Sequence, residues 1–279
     1  MQTTIRNAAR CSGIDITGTQ KANIVLQPAE VNTGIVFIRD DLPDSPRVRC
    51  CSSNAVVESR WTSLEQEGVS VEHTEHLLAA INGMGIDNLK IHMNCSSIPV
   101  VDGYSCSEFV HAILRAGLRI QAGVKKYIEV KKPCLIKDQF LCHGVRHEKY
   151  IAALPADSLQ LTYILDYPDK SLPTQMADYQ INSETFVSQL YNARSFITEK
   201  EYQRVSELIG EGMQSVLVFP SQSISEELRY VNEPARHKLI DLLGDLGTAG
   251  CNIRGKFIAF RSGHKLNIEI IKKLTESGE

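Results

Sequence analysis

The sequence predicts an α+β fold built as two similar halves, and three observations predict it. Short runs with strand periodicity, bounded by turn residues, alternate with runs of helical periodicity. Each half contains a helix beginning near a histidine, a glycine-bearing turn, a strand, a loop and a further helix, which is a weak internal repeat. At about 150 residues per domain, 279 residues suffice for two domains. The division falls near 117–124, giving an N-terminal domain of 1–120 and a C-terminal domain of 121–279.

The elements follow in order. Ala22 to Leu26 alternates, Pro28 and Asn32-Thr33-Gly34 make a turn, and Ile35 to Ile38 resumes, a hairpin-like opening. A helix starts near His73, continues through Leu77, Leu78, Ile81 and Met84, and stops at Gly83 and Gly85. Leu89 to Met93 reads as a strand, and Ser107 to Ala116 as a helix ended by Gly117. Tyr127 to Val130, Leu135 to Lys137, Ile151 to Leu154 and Leu159 to Leu165 are strand-like, and the stretch from Pro168 to Thr174 is rich in turn residues. Pro234 suits the first turn of a helix spanning Ala235 to Leu246. Gly247 and Gly250 break it, Lys256 to Phe260 is a strand, and Leu266 to Leu274 is helical.

Composition removes several function classes. With 43% hydrophobic and 23% charged residues the chain is an ordinary globular protein, and a net charge of −3 with no long basic run argues against nucleic acid. Eight cysteines without a CxxC pair read as reduced thiols of a cytoplasmic protein. The opening MQTTIRNAARCSG lacks the apolar core of a signal peptide, and no segment reaches the roughly 18 apolar residues of a membrane span. A monomer that meets its substrate from water is expected.

Three segments carry chemistry. In Arg236-His237-Lys238-Leu239-Ile240-Asp241-Leu242-Leu243-Gly244-Asp245-Leu246, about 100° per residue puts the leucines on one stripe and His237, Asp241 and Asp245 on another. His and Asp at i and i+4 can bind one metal ion, by the geometry that makes HExxH a zinc motif. In His73-Thr74-Glu75-His76, two histidines and a glutamate crowd the first turn of an otherwise apolar helix. A catalytic zinc takes three protein ligands, so either histidine completes the set, and the glutamate can take a proton from water. Phe260-Arg261-Ser262-Gly263-His264 ends a strand in a histidine, which titrates near neutrality and can protonate a leaving amine.

These residues resemble the family of UDP-3-O-acyl-N-acetylglucosamine deacetylases, zinc enzymes of lipid A biosynthesis in Gram-negative bacteria. The resemblance runs from Leu26-Gln27-Pro28-Ala29 through Glu75-His76-Leu77-Leu78-Ala79-Ala80, Gly85-Ile86-Asp87-Asn88, Ala193-Arg194-Ser195-Phe196 and Arg236-His237-Lys238 to Ser262-Gly263-His264. It implies zinc on His76, His237 and Asp241, Glu75 as general base, His264 as general acid and Asp245 as the carboxylate that orients it. It implies Lys238 and Ser195 near the developing oxyanion or the substrate's sugar and phosphates, and Phe196 and Arg261 along the sugar-nucleotide path. The fold it implies sandwiches the helices of both domains between two small sheets. An insertion at about 197–222, with Leu208, Ile209, Met213, Val216 and Phe219, would build the acyl passage. Ser195 replaces the family's usual threonine and Arg261 a common lysine, Gly13 to Gly18 lacks a family histidine, and His73 is extra. The same metal chemistry would serve a zinc peptidase; a structural zinc would need a fourth ligand, for which His73 is the candidate.

Overall fold

The computed structural model describes residues 1–57, 60–199, 201–203, 216–219 and 227–276. The alternating runs become two mixed sheets. The first is ordered Ala9–Ile14, Lys21–Pro28, Leu89–Met93, Ile35–Arg39, Arg47–Arg49. The second is ordered Cys134–Cys142, Val145–Leu154, Asn252–Phe260, Leu159–Leu165, Gln175–Gln180, and Tyr127–Glu129 also pairs with Asn252–Phe260.

The two sheets share one topology. In each, two hairpins are laid down first, and the strand that follows the next long helix enters between them. Leu89–Met93 runs antiparallel to Lys21–Pro28 and parallel to Ile35–Arg39. Asn252–Phe260 likewise runs antiparallel to Val145–Leu154 and parallel to Leu159–Leu165. The opening hairpin expected between Ala22–Leu26 and Ile35–Ile38 is therefore not formed. Lys21–Pro28 pairs back onto Ala9–Ile14, and Leu89–Met93 separates it from Ile35–Arg39. The Cys134–Cys142 and Val145–Leu154 hairpin is longer than its apolar residues indicate, and turns at His143 and Gly144, both with positive φ. Gln175–Gln180, too polar to read as a strand, is an edge strand.

Among the described residues, four long helices lie with the sheets: α1 (Glu75–Gly83), α2 (Ser107–Ala116), α3 (Glu233–Gly247) and α4 (His264–Glu276). α1 starts at Glu75, not at His73, because His73 has φ +59°, outside the helical region. α1 and α3 are buried nearly all round, the His237, Asp241 and Asp245 stripe of α3 included, and pack on each other. Their approach is set by glycine: a Cβ on Gly244 would stand 1.9 Å from the Glu75 carbonyl oxygen. α2 and α4 are amphipathic and keep one face in water, α4 covering the Cys134–Leu154 hairpin. One contiguous core joins both halves.

Between the hairpins and α1 stands a small sheet of Ala55–Val57, Thr62–Gln66 and Val69–Val71. At the equivalent place before α3, Phe196–Thr198 pairs with Leu217–Phe219. Leu208, Ile209 and Met213, expected to line an acyl passage, lie outside the described residues. All eight cysteines are free, and among the described residues no helix is long and apolar enough to cross a membrane.

Candidate metal centre

The first turn of α1 and the second turn of α3 meet where the two helices cross. His76 Nε2 lies 3.2 Å and His237 Nε2 3.3 Å from the same oxygen, Asp241 Oδ1. All three residues are buried, and their donor atoms lie within 4.8 Å of one another. His237 Nδ1 is 3.2 Å from the Ala193 carbonyl, an acceptor only, so Nδ1 carries the proton and Nε2 presents a lone pair. A carboxylate oxygen facing imidazole lone pairs is repulsive unless a cation sits among them. Ligand bonds of about 2.05 Å at tetrahedral angles place donor atoms about 3.3 Å apart, which is the spacing seen. The residues present fit a divalent cation with nitrogen and oxygen donors.

Charge is managed by the neighbours. Burial works against ionisation of Asp241, but Lys238 Nζ at 2.7 Å and then His237 hold its carboxyl well below the usual range. Burial lowers His237 to about 4, so it is neutral and ready to ligate at neutral pH. Glu75 begins α1 with one oxygen, Oε2, taking the Thr62 N–H at 3.1 Å, and burial raises its carboxyl. His264 begins α4, with Nδ1 2.9 Å from Asp245 Oδ2. Burial opposes its charge, yet Asp245, then Glu75 and Asp241, raise it to about 9. Asp245 is fully buried and also accepts from Thr62 Oγ1 at 2.6 Å and Asn267 Nδ2 at 2.8 Å.

A cavity of about 400 Å³ opens over these groups. Its wall includes Glu75, His76, His237, Lys238, Asp241 and His264, together with Ser195 and Phe196. The arrangement sets an acceptor and a charged donor around the same cavity as a cation seat, the parts that hydrolysis of an amide requires.

A family model described as LpxC, UDP-3-O-acyl N-acetylglycosamine deacetylase, matches residues 2–276. The chain belongs to this family. It is 30% identical to the UDP-3-O-acyl-N-acetylglucosamine deacetylase of Syntrophus aciditrophicus (strain SB), covering 100% of this chain and 87% of that protein. The same named proteins of Histophilus somni (strain 129Pt) and Actinobacillus succinogenes are 32% and 31% identical, each over 100% of this chain and 91% of the relative.

Within this deacetylase-family chain, the structure gathers His76, His237, Asp241, Glu75, Lys238, His264, Ser195 and Phe196 around one cavity, with Asp245 behind His264. Arg261 stands apart, its guanidinium paired with Asp166 and its side chain away from the cavity wall. Phe196 packs edge-on against Tyr167 and Phe219, and Val216 also lines the cavity. Sequence reasoning missed Thr62, which ties Glu75 to Asp245, and Asn267, which supports Asp245. Asn267 sits one turn after His264, and that spacing was the available signal. It also missed Trp61 and Tyr104, two aromatic side chains of the cavity wall that come from a bend and from the short 3-10 turn Asp102–Tyr104.

Proposed function

We propose that the chain hydrolyses the 2-acetamido group of UDP-3-O-acyl-N-acetylglucosamine, giving acetate and the free amine, the committed step of lipid A biosynthesis. The observation that carries this reading is the convergence of three lone-pair donors on one point beside an acceptor and a protonated histidine. The family membership supplies the substrate. Zinc is the cation we assign to His76, His237 and Asp241, and when bound it contributes Lewis acidity that acidifies water and polarises the acetyl carbonyl.

The chain's own groups do the rest. Glu75, with Oε2 fixed by Thr62, accepts the proton of the attacking water through its other oxygen. Its raised carboxyl makes it a stronger base than an exposed glutamate. Lys238 and Ser195 line the cavity where the oxyanion of the tetrahedral intermediate develops, and the lysine's charge stabilises it. His264, charged at neutral pH because of Asp245, protonates the departing amine. Phe196 lies against the sugar, and the segment at 197–222 with Val216 and Phe219 guides the acyl chain. Arg261 takes the far end of the sugar-nucleotide path. The chain divides into domains 1–120 and 121–279, which the repeated sheet topology supports. It acts as a cytoplasmic monomer.

Metal content and acetate release measured for the wild type and His237→Ala test the reading. One zinc and acetate release in the wild type, both lost in the variant, are the expected results. An active metal-free protein would overturn the metal assignment, and a zinc-loaded wild type that releases no acetate would point to a structural ion.

A further inference from the structure

Among the histidines buried at the metal seat, His73 is the one that the proposed reaction leaves without a task, at 3% exposure. Its Nε2 stands 3.2 Å from Nδ1 of His76, and the two rings meet edge-on at 4.9 Å and 73°. Tyr104 stacks its own edge against His73 at 5.2 Å and 81°. Both residues are held in the left-handed backbone region, at φ +59° and +63°, which costs a non-glycine residue about 1–3 kcal/mol when sparsely populated conformations are imposed. The Tyr104 turn is fixed from outside by Arg229, which donates twice to Asp102 at 2.7 and 2.8 Å. Two strained residues thus bring one ring to the back of another.

The chemistry of His76 decides what that contact is. When Nε2 gives its lone pair to a cation, the neutral ring carries its proton on Nδ1, and that N–H needs an acceptor. His237 finds one in the Ala193 carbonyl. The atom at hydrogen-bond distance from His76 Nδ1 is His73 Nε2. His73, Glu75 and His76 also have the spacing of a second metal group. His76 belongs to both groups, however, and filling both would strip its last N–H proton and leave an imidazolate.

On the reading of His76, His237 and Asp241 as the zinc ligands, we propose that His73 is a positioning residue for His76. Its Nε2 accepts the Nδ1–H of His76, and so fixes the tautomer and ring plane that turn Nε2 toward the ion. His73 acts through His76.

The test is the affinity of the metal-free protein for Zn2+, read by chelator competition, and the visible spectrum of the Co2+ form. His73→Ala, His73→Gln and His237→Ala are compared with the wild type. Loss of such an outer partner weakens metal binding about 10- to 100-fold. His73→Ala is expected to show that loss with an altered Co2+ spectrum at unchanged one-ion stoichiometry. His73→Gln, whose amide oxygen can accept at the position of Nε2, is expected to recover most of the affinity. Wild-type affinity in His73→Ala, or a glutamine variant as weak as the alanine one, overturns the proposal. So does a wild type that binds two ions where His73→Ala binds one. If His237→Ala also binds as tightly as the wild type, the zinc site itself is misread; if His73→Ala alone does, only the role of His73 fails. A scalar coupling across the hydrogen bond between His76 Nδ1 and His73 Nε2, sought by 15N NMR in the wild-type zinc form, needs no variant. Its absence also overturns the proposal.

Discussion

Replacing Asp245 with asparagine isolates the electrostatic support of His264 while changing little volume. The wild-type carboxylate takes Nδ1 of His264 at 2.9 and 3.1 Å, and the imidazole is raised from 6.5 to about 9. That rise represents roughly 3 kcal/mol in favour of the imidazolium. With a neutral amide in place, the burial that opposes the charge persists and its principal counterweight is gone. The value then falls to 6.5 or lower. At pH 8 the protonated fraction drops from about nine-tenths to about one-thirtieth, so kcat/KM falls about 30-fold, whereas at pH 6 the same change removes much less of the acid. In the wild type, activity declines as pH rises through about 9; in Asp245→Asn the decline moves to at least two pH units lower. Stability follows the same sign. A folded value above the unfolded one gives stabilisation that is complete below pH 6.5 and is lost as pH rises through about 9, and the variant should lack that slope. Acetate release from pH 6 to 10, with urea unfolding at the same pH values, measures both. An alkaline limb that stays near 9 in the variant, or an equal loss at pH 6 and pH 8, would refute the reasoning.

Four further outcomes are expected. Gly244→Ala sets a Cβ 1.9 Å from the Glu75 carbonyl oxygen, so α1 and α3 must separate; stability falls by more than the usual 1–3 kcal/mol of overpacking and zinc affinity falls with it. Gly263→Ala, whose Cβ meets nothing within 4 Å, stays within about 0.5 kcal/mol of wild type in the same urea titration. Glu233→Ala removes a fully buried carboxylate that takes Arg194 Nε at 3.0 Å and the Arg229 N–H at 2.7 Å, and urea unfolding should show a loss of about 3–5 kcal/mol. Chelation should lower the thermal midpoint, and zinc restored to 100 times its Kd should return about 2.7 kcal/mol; equal midpoints for stripped and loaded protein would show that the ion does not bind the native fold.

What the sequence reveals divides by the range of the interaction. α2 is read to the residue because its apolar stripe and Gly117 are local signals. The stripe of His237, Asp241 and Asp245 is likewise internal to one helix. The pairing of Lys21–Pro28 could not be read locally, because the strand that displaces Ile35–Arg39 from it arrives about fifty residues later. Thr62 is invisible as a single threonine in a polar run; its value comes from lying between Glu75 and Asp245 once α1 and α3 are packed. The partner of Arg261 is equally invisible locally, since Asp166 is brought to it at the end of a neighbouring strand. The strand Gln175–Gln180 was missed because an exposed edge imposes no apolar alternation.

The crossing of α1 and α3 also sets a timetable. His76 and Asp241 are 165 positions apart, and neither half alone holds all three donors. During refolding, tight capture of the ion must therefore wait until the two halves have docked, so the appearance of the Co2+ spectrum serves as a clock for the last long-range step of folding.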